Sequence, residues 1–236
     1  MILLWQIEHQ AVDTLAIGNY AYDANANPAG TGVTVQAGNR LTQYPGETFS
    51  YDDEGNLLTR SSAAGTFTYT WNALGQLTAV IKNGNTTTYG YDGWGRRVRK
   101  TANGVITRYL LQGDAVVMEL SASNGILAEY SYYPGVDRPL SMKRGAFLYY
   151  FAQDAQGNVT GLMHTNGTVA ATYSYSAFGE HIGSTGTVQN PYRFKGREWD
   201  EEAGLYFMRA RYYLPQTGRF ISEDPIGLAG GSTVPA

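Results

Sequence analysis

No cysteine occurs among the 236 residues. That excludes disulfides, thiol nucleophiles and any zinc site built with Cys ligands. Long apolar runs are missing too, since no stretch approaches the roughly 18 residues of a membrane helix, so no membrane span is expected. The start, MILLWQIEHQAVD, has a short apolar run with no basic segment before it and is expected not to be a signal peptide. If exported, such a chain travels by another route or as part of something longer. No excess of one charge is present: 17 basic against 20 acidic residues leave a net charge of −3, with no drive toward nucleic acid or an anionic membrane. His9, His164 and His181 are far apart and lack metal-ligand spacing. No GxSxG elbow suggests a serine nucleophile. Neither a metal nor a cofactor is expected.

What the chain has is tyrosine, 19 residues of it, and glycine, 29 residues without a collagen period. Tyrosine buries a ring while its hydroxyl still needs a partner, which suits half-wet sheets. Three segments align without gaps: FSYDDEGNLLT from Phe49, YTWNALGQLTA from Tyr69 and YGYDGWGRRVR from Tyr89. Their glycines at 55, 75 and 95 give a period of 20, the mark of a repeat architecture. Each unit opens with aromatic-x-aromatic, two side chains on one face of a strand. Asp52, Asn72 or Asp92 follows, then glycine, then a return strand. Asp and Asn bond their own backbone in turns and Gly supplies positive φ, so each unit reads as a hairpin of two strands of roughly six residues. Weaker copies flank the array (YAYDANAN, and 148–180), and 109–148 suits strands broken by Gly and Pro. No helix-period run stands out, although REWDEEAGL could form one helical turn. The expected fold is all-β: antiparallel hairpin repeats in a curved, spiralling sheet of about ten strands, too few to close.

These units resemble the YD repeats of the RHS family. The segment YRFKGREWDEEAGLYFMRARYYLPQTGRFISEDPIGLAGG (192–231) closely resembles the RHS repeat-associated core domain that ends such arrays. The resemblance implies an N-terminal segment 1–19 of unknown role, a repeat region 20–185 and a core-associated segment 186–236. It also implies a bacterial shell that encloses a C-terminal toxin, secreted or at the cell surface as part of a larger protein. The implied partners are toxin cargo, other shell segments and a possible glycan. An incomplete shell is expected to self-associate through exposed edges.

In the family the Asp of the DPxGxxGG motif serves in self-cleavage, and the matching residues are Asp224, Pro225, Gly227, Gly230 and Gly231. An aspartyl mechanism needs two carboxylates sharing a proton. The family's second Asp-Pro-x-Gly is not in this sequence, so Asp224 is expected to be half of a site or a turn residue, and the chain is expected not to be an enzyme. Glu223 would point to the opposite strand face, and Asp200 falls in an expected turn. Arg209 and Arg211 would share a strand face; with Arg193, Arg197 and Arg219 they could line a cargo site. The plainer expectation is stacking on tyrosines or pairing with Glu198, Asp200, Glu201 and Glu202. GRRVRK (95–100) reads as an edge strand protected by charge. Trp71 and Trp94 are the candidate sugar-stacking residues. The sequons at Asn85, Asn158 and Asn166 carry little weight.

Overall fold

The structure, a computed structural model, describes residues 20–225. Sixteen strands, from Thr34–Gln36 to His181–Thr185, form one antiparallel sheet in which each strand pairs only with its neighbours in sequence. This sheet is termed the wall. The expectation of about ten strands is corrected to sixteen in the wall, and 109–148, expected as strands broken by Gly and Pro, pairs into the same ladder as parts of Val105–Gln112, Ala115–Ser121, Ile126–Tyr132 and Pro139–Arg144.

The repeats fold as local chemistry dictates. In each aspartate- or asparagine-led turn the side-chain oxygen accepts backbone N–H groups. Asp92 takes those of Trp94 and Arg96, Asn72 those of Leu74 and Gln76, and Asp154 those of Gln156 and Asn158. Outgoing strands bury alternate residues (Phe67 and Tyr69; Tyr149 and Phe151). Return strands bury positions three apart, Leu57 and Arg60, Leu77 and Val80, or Val159 and Leu162. A bulge beside each of these turns, at the start of the return strand, inserts the extra residue that makes this spacing possible.

A recurring bond ties each hairpin to the one before it. Tyr51, Tyr91, Tyr132 and Tyr175 donate their hydroxyls to the carbonyls of Leu41, Leu77, Val116 and Val159, at 2.9, 2.7, 2.7 and 2.7 Å. Trp71 donates its indole N–H to Leu57 in the same way at 2.8 Å. Aromatic tips thus meet the donor requirement that burial imposes.

A second sheet of four strands, Glu198–Asp200, Leu205–Met208, Arg211–Leu214 and Arg219–Phe220, packs against the wall's inner face and is termed the plug. Ala203, Leu205, Phe207, Tyr212, Leu214 and Ile221 join the core formed by the earlier strands, while Tyr192 joins that of the later ones. In the REWDEEAGL segment the strand Glu198–Asp200 runs into one uncontinued helical-type turn, in which the N–H groups of Ala203 and Gly204 donate to the Asp200 carbonyl at 3.2 and 2.8 Å. The lone 3-10 turn among the described residues is Phe194–Gly196. The two ends of the array also meet. Tyr20 packs edge-on to Phe178 at 4.7 Å, Arg219 reaches Asn27 and Asn39, and Tyr213 donates to the Phe178 carbonyl at 2.9 Å. The wall therefore curls on itself with the plug bridging the seam.

Candidate functional site

The chemistry-bearing side chains gather where plug meets wall. Leu57 and Leu77 occupy the first buried position of their return strands, but the third repeat places Arg97 there. Its side chain is 2% exposed and reaches two carboxylates of one plug strand. Nη1 lies 3.0 Å from Asp200 Oδ2, and Nη2 pairs with Glu198. The ring of Phe207 lies beneath it at 4.0 Å, with Tyr109 and Tyr89 at 5.3 and 5.6 Å. One turn along the face, Lys100 pairs with Asp200 at 2.7 Å and with Glu202.

Burial alone would depress Arg97, but Tyr212, Glu198, Tyr109 and Asp200 around it outweigh that and hold it well above its ordinary value. Burial likewise works to raise Asp200, and Lys100 and Arg97 overcome it, leaving the carboxyl below the usual range. Glu198 stays raised because burial exceeds the pull of Arg97. These groups fasten two segments separated by about a hundred residues. None is a poised nucleophile, and among the described residues no group of three or more His, Asp and Glu could hold a metal.

Three expectations are corrected here. GRRVRK leads into an interior strand, Arg97–Ala102, paired on both sides rather than guarding an edge; Arg97 and Lys100 face the plug, while Arg96 pairs with Asp92 and Arg99 is exposed. Asp200 ends a strand and is 2% exposed rather than lying in a solvated turn. Arg209 (φ 63°) and Ala210 make a two-residue turn, so Arg209 and Arg211 do not share a strand face. The plug's arginines do stack and pair: Arg193 stacks on a tyrosine, as expected, while the ion-pair partners of the others differ from the acids expected. Arg193 lies 3.7 Å over Tyr173 and Arg211 3.7 Å over Phe220. Arg197 and Arg209 both engage Asp137, and Arg219 bonds Asn27.

Asp224 lies 2.8 Å from Arg211 and is 43% exposed, whereas the Glu223 side chain lies over Gly55. Pro225 is exposed. Gly227, Gly230, Gly231 and His9 lie outside the described residues. Trp71 is half-buried with its N–H committed to Leu57, so of these two it is Trp94, 84% exposed with Arg96 stacked over it at 4.9 Å, that presents an open indole. His164 packs against Tyr149 and Phe147, and His181, lowered by burial and by Arg193, lies near Tyr175. Asn85 and Asn166 are exposed and Asn158 is buried.

Comparison with known proteins places this arrangement. The profile of the teneurin YD-shell family matches residues 5–228. A tRNA3(Ser)-specific nuclease WapA of Bacillus spizizenii is 37% identical over 225 residues, covering 87% of this chain and 9% of the relative. A double-stranded DNA deaminase toxin A of Burkholderia cenocepacia is 28% identical, covering 93% of this chain and 18% of its own length. Among solved structures, TcdB2-TccC3-Cdc42 matches 90% of this chain and 14% of its own, with a TM-score of 0.57 at 20% identity, a likeness of fold. The chain thus spans between 9% and 18% of these two curated relatives.

Proposed function

Since the chain belongs to the teneurin YD-shell family and is a structural shell segment of the RHS polymorphic-toxin kind, we propose that it forms the plugged end of a shell that holds a toxic C-terminal domain. The observation that carries this reading is the buried ion cluster joining Arg97 and Lys100 of the wall to Glu198, Asp200 and Glu202 of the plug. Uncompensated charge in a protein interior costs several kcal/mol per ion. Wall and plug therefore carry complementary charges whose burial is tolerated only when the two dock in the register that pairs them. In the longer protein, we place this assembly outside the producing cell, facing toxin cargo and further shell segments.

The test is limited proteolysis of the longer protein. The cargo should resist digestion in the wild type and become sensitive in Arg97→Leu, and equal sensitivity in both would overturn the reading. Within this segment Asp224 serves as a turn residue held by Arg211, and the intact mass of the purified chain should stay constant over days at 25 °C. A second reading rests on Trp94, whose open indole beside Arg96 suits a sugar ring. A glycan array on which wild type and Trp94→Ala behave alike removes that reading.

A further inference from the structure

Five turns of the wall, 52–56, 72–76, 92–96, 154–158 and 176–180, close with the same two backbone bonds, and in each the residue before the glycine forms the tip. Glu54 and Gln156 are polar tips; Leu74, Trp94 and Phe178 are apolar ones. Phe178 is covered. The ring of Tyr20 meets it edge-on at 4.7 Å, and a Cβ on Gly218 of the plug would reach its ring at 3.1 Å. Leu74 and Trp94 hold the same place on neighbouring hairpins and are 80 and 84% exposed. The residue that covers Phe178 is itself the opening aromatic of a repeat unit. Tyr20, Tyr22 and Asp23 follow the order of Phe49, Tyr51 and Asp52, and the turn at Asp23 closes with the same pair of backbone bonds. The fold thus contains one example of an apolar tip closed by a unit from the far end of the array.

We propose that Leu74 and Trp94 receive the opening aromatics of two consecutive repeat units from an earlier stretch of the array in the longer protein, as Phe178 receives Tyr20. The spacing matches. Leu74 and Trp94 stand two strands apart, about 10 Å, and opening aromatics of consecutive units, such as Tyr69 and Tyr89, are also two strands apart. The patch is fixed in place before any partner arrives. Its two turns touch, since a Cβ on Gly95 would lie 3.1 Å from Gln76 Nε2. Arg96, paired with Asp92 at 2.7 Å and donating to the Gly113 carbonyl at 2.7 Å, covers one face of the indole and leaves the other open. Adjoining apolar side chains held in water in this way mark a contact surface. This chain spans 9 and 18% of the two curated relatives, whose remaining length can supply such units. The inference rests on the shell reading, and it assigns to a protein contact the ring that the sugar reading leaves to a glycan.

The test is hydroxyl-radical footprinting of the isolated chain and of the longer protein, read by mass spectrometry at Trp94 with half-buried Trp71 as the internal reference. In the isolated chain Trp94 should oxidise faster than Trp71, and in the longer protein that excess should be lost. Leu74→Asp should restore the excess in the longer protein and change nothing in the isolated chain, where both tips already face water. Deleting the cargo domain from the longer protein should leave Trp94 protected. An excess that persists in the longer protein overturns the assignment. Protection that vanishes with the cargo overturns it in favour of the cargo as occupant, and protection that grows with the concentration of the isolated chain overturns it in favour of a second copy. Proteolysis of the same samples keeps this inference apart from the shell reading. A cargo that resists digestion while Trp94 stays reactive overturns the contact alone, whereas a digested cargo with Trp94 protected overturns the cargo role and leaves the contact standing.

Discussion

Consider removing the charge at Arg97. Arg97→Leu restores the residue type that Leu57 and Leu77 place at the equivalent position, so intrinsic packing is not the obstacle. The obstacle is what remains: Glu198 loses its guanidinium partner and Asp200 keeps only Lys100. Breaking a buried pair from one side costs about 3–5 kcal/mol, whereas removing both partners into apolar residues is often neutral. In a chain of this length about 1 kcal/mol moves the melting temperature by roughly 2–4 °C, so the single variant should melt roughly 6–20 °C lower. Glu198→Leu alone should also destabilise, because Arg97 is then left with Asp200 alone. The double variant should recover much of the loss, with a coupling of about 2 kcal/mol or more. Urea unfolding followed by fluorescence, with Trp199 in the plug and Trp71 in the wall, measures all four proteins. Additivity within about 0.5 kcal/mol would refute the claim that these two side chains act as a unit.

Gly196→Ala should cost about 1–3 kcal/mol, since Gly196 sits at φ 64° with the Asp137 carbonyl where a Cβ would go; a thermal melt within 2 °C of wild type contradicts this. Trp71→Phe removes one donor to Leu57 and should cost about 1 kcal/mol, while Trp94→Ala should stay within about 0.5 kcal/mol, both by urea titration. The charge cluster also predicts a pH profile of opposed signs. Asp200, lowered from 3.8, contributes stability above that value that is lost as pH falls through its folded value. Glu198, raised from 4.5, contributes stability that is present below that value and lost as pH rises through its folded value. Glu198→Gln should flatten the decline above pH 4.5 and leave the acid limb intact. Val105, Ile126, Phe147 and Val169 open four strands at the rim away from the plug, exposed by 69, 59, 59 and 46%. The isolated chain should therefore associate with rising concentration in sedimentation velocity, and Phe147→Ser should weaken this association.

The hairpins were legible because their determinants are local. An aromatic pair, an Asp or Asn and a glycine settle a turn within ten residues, and the same side chains make the observed bonds. The seat of the plug was not legible by the same means. A run of four basic residues reads as an edge strand guarded by charge, and WDEEAG reads as a turn, because each is taken without the other. They neutralise one another across about a hundred residues, a distance that periodicity does not reach. A signal was nonetheless present in the gapless alignment, where Arg97 falls in a column otherwise holding Leu57 and Leu77. An arginine in an apolar column needs a buried counter-charge somewhere, and an acid-rich segment elsewhere in the chain is the place to look. Strand number failed for a different reason: in 109–148 the pairing is preserved while the glycine period drifts, so the ladder outlasts its signature.

The bonds from Tyr51, Trp71, Tyr91, Tyr132 and Tyr175 each point backward, to a carbonyl already laid down. On a ribosome adding roughly 5–20 residues each second, a new hairpin of this array emerges every few seconds. Its docking site is the strand synthesised just before it. The wall can thus grow as a zipper closing from its first tooth, with no hairpin waiting for sequence still untranslated. The plug breaks that order, as the seam contact of Tyr20 with Phe178 also does, because its charges must find Arg97 and Lys100 after some hundred further residues have been made. Until it arrives, the growing sheet carries two buried-to-be cations in the open, which keeps that stretch soluble at the stage when its apolar neighbours are most exposed.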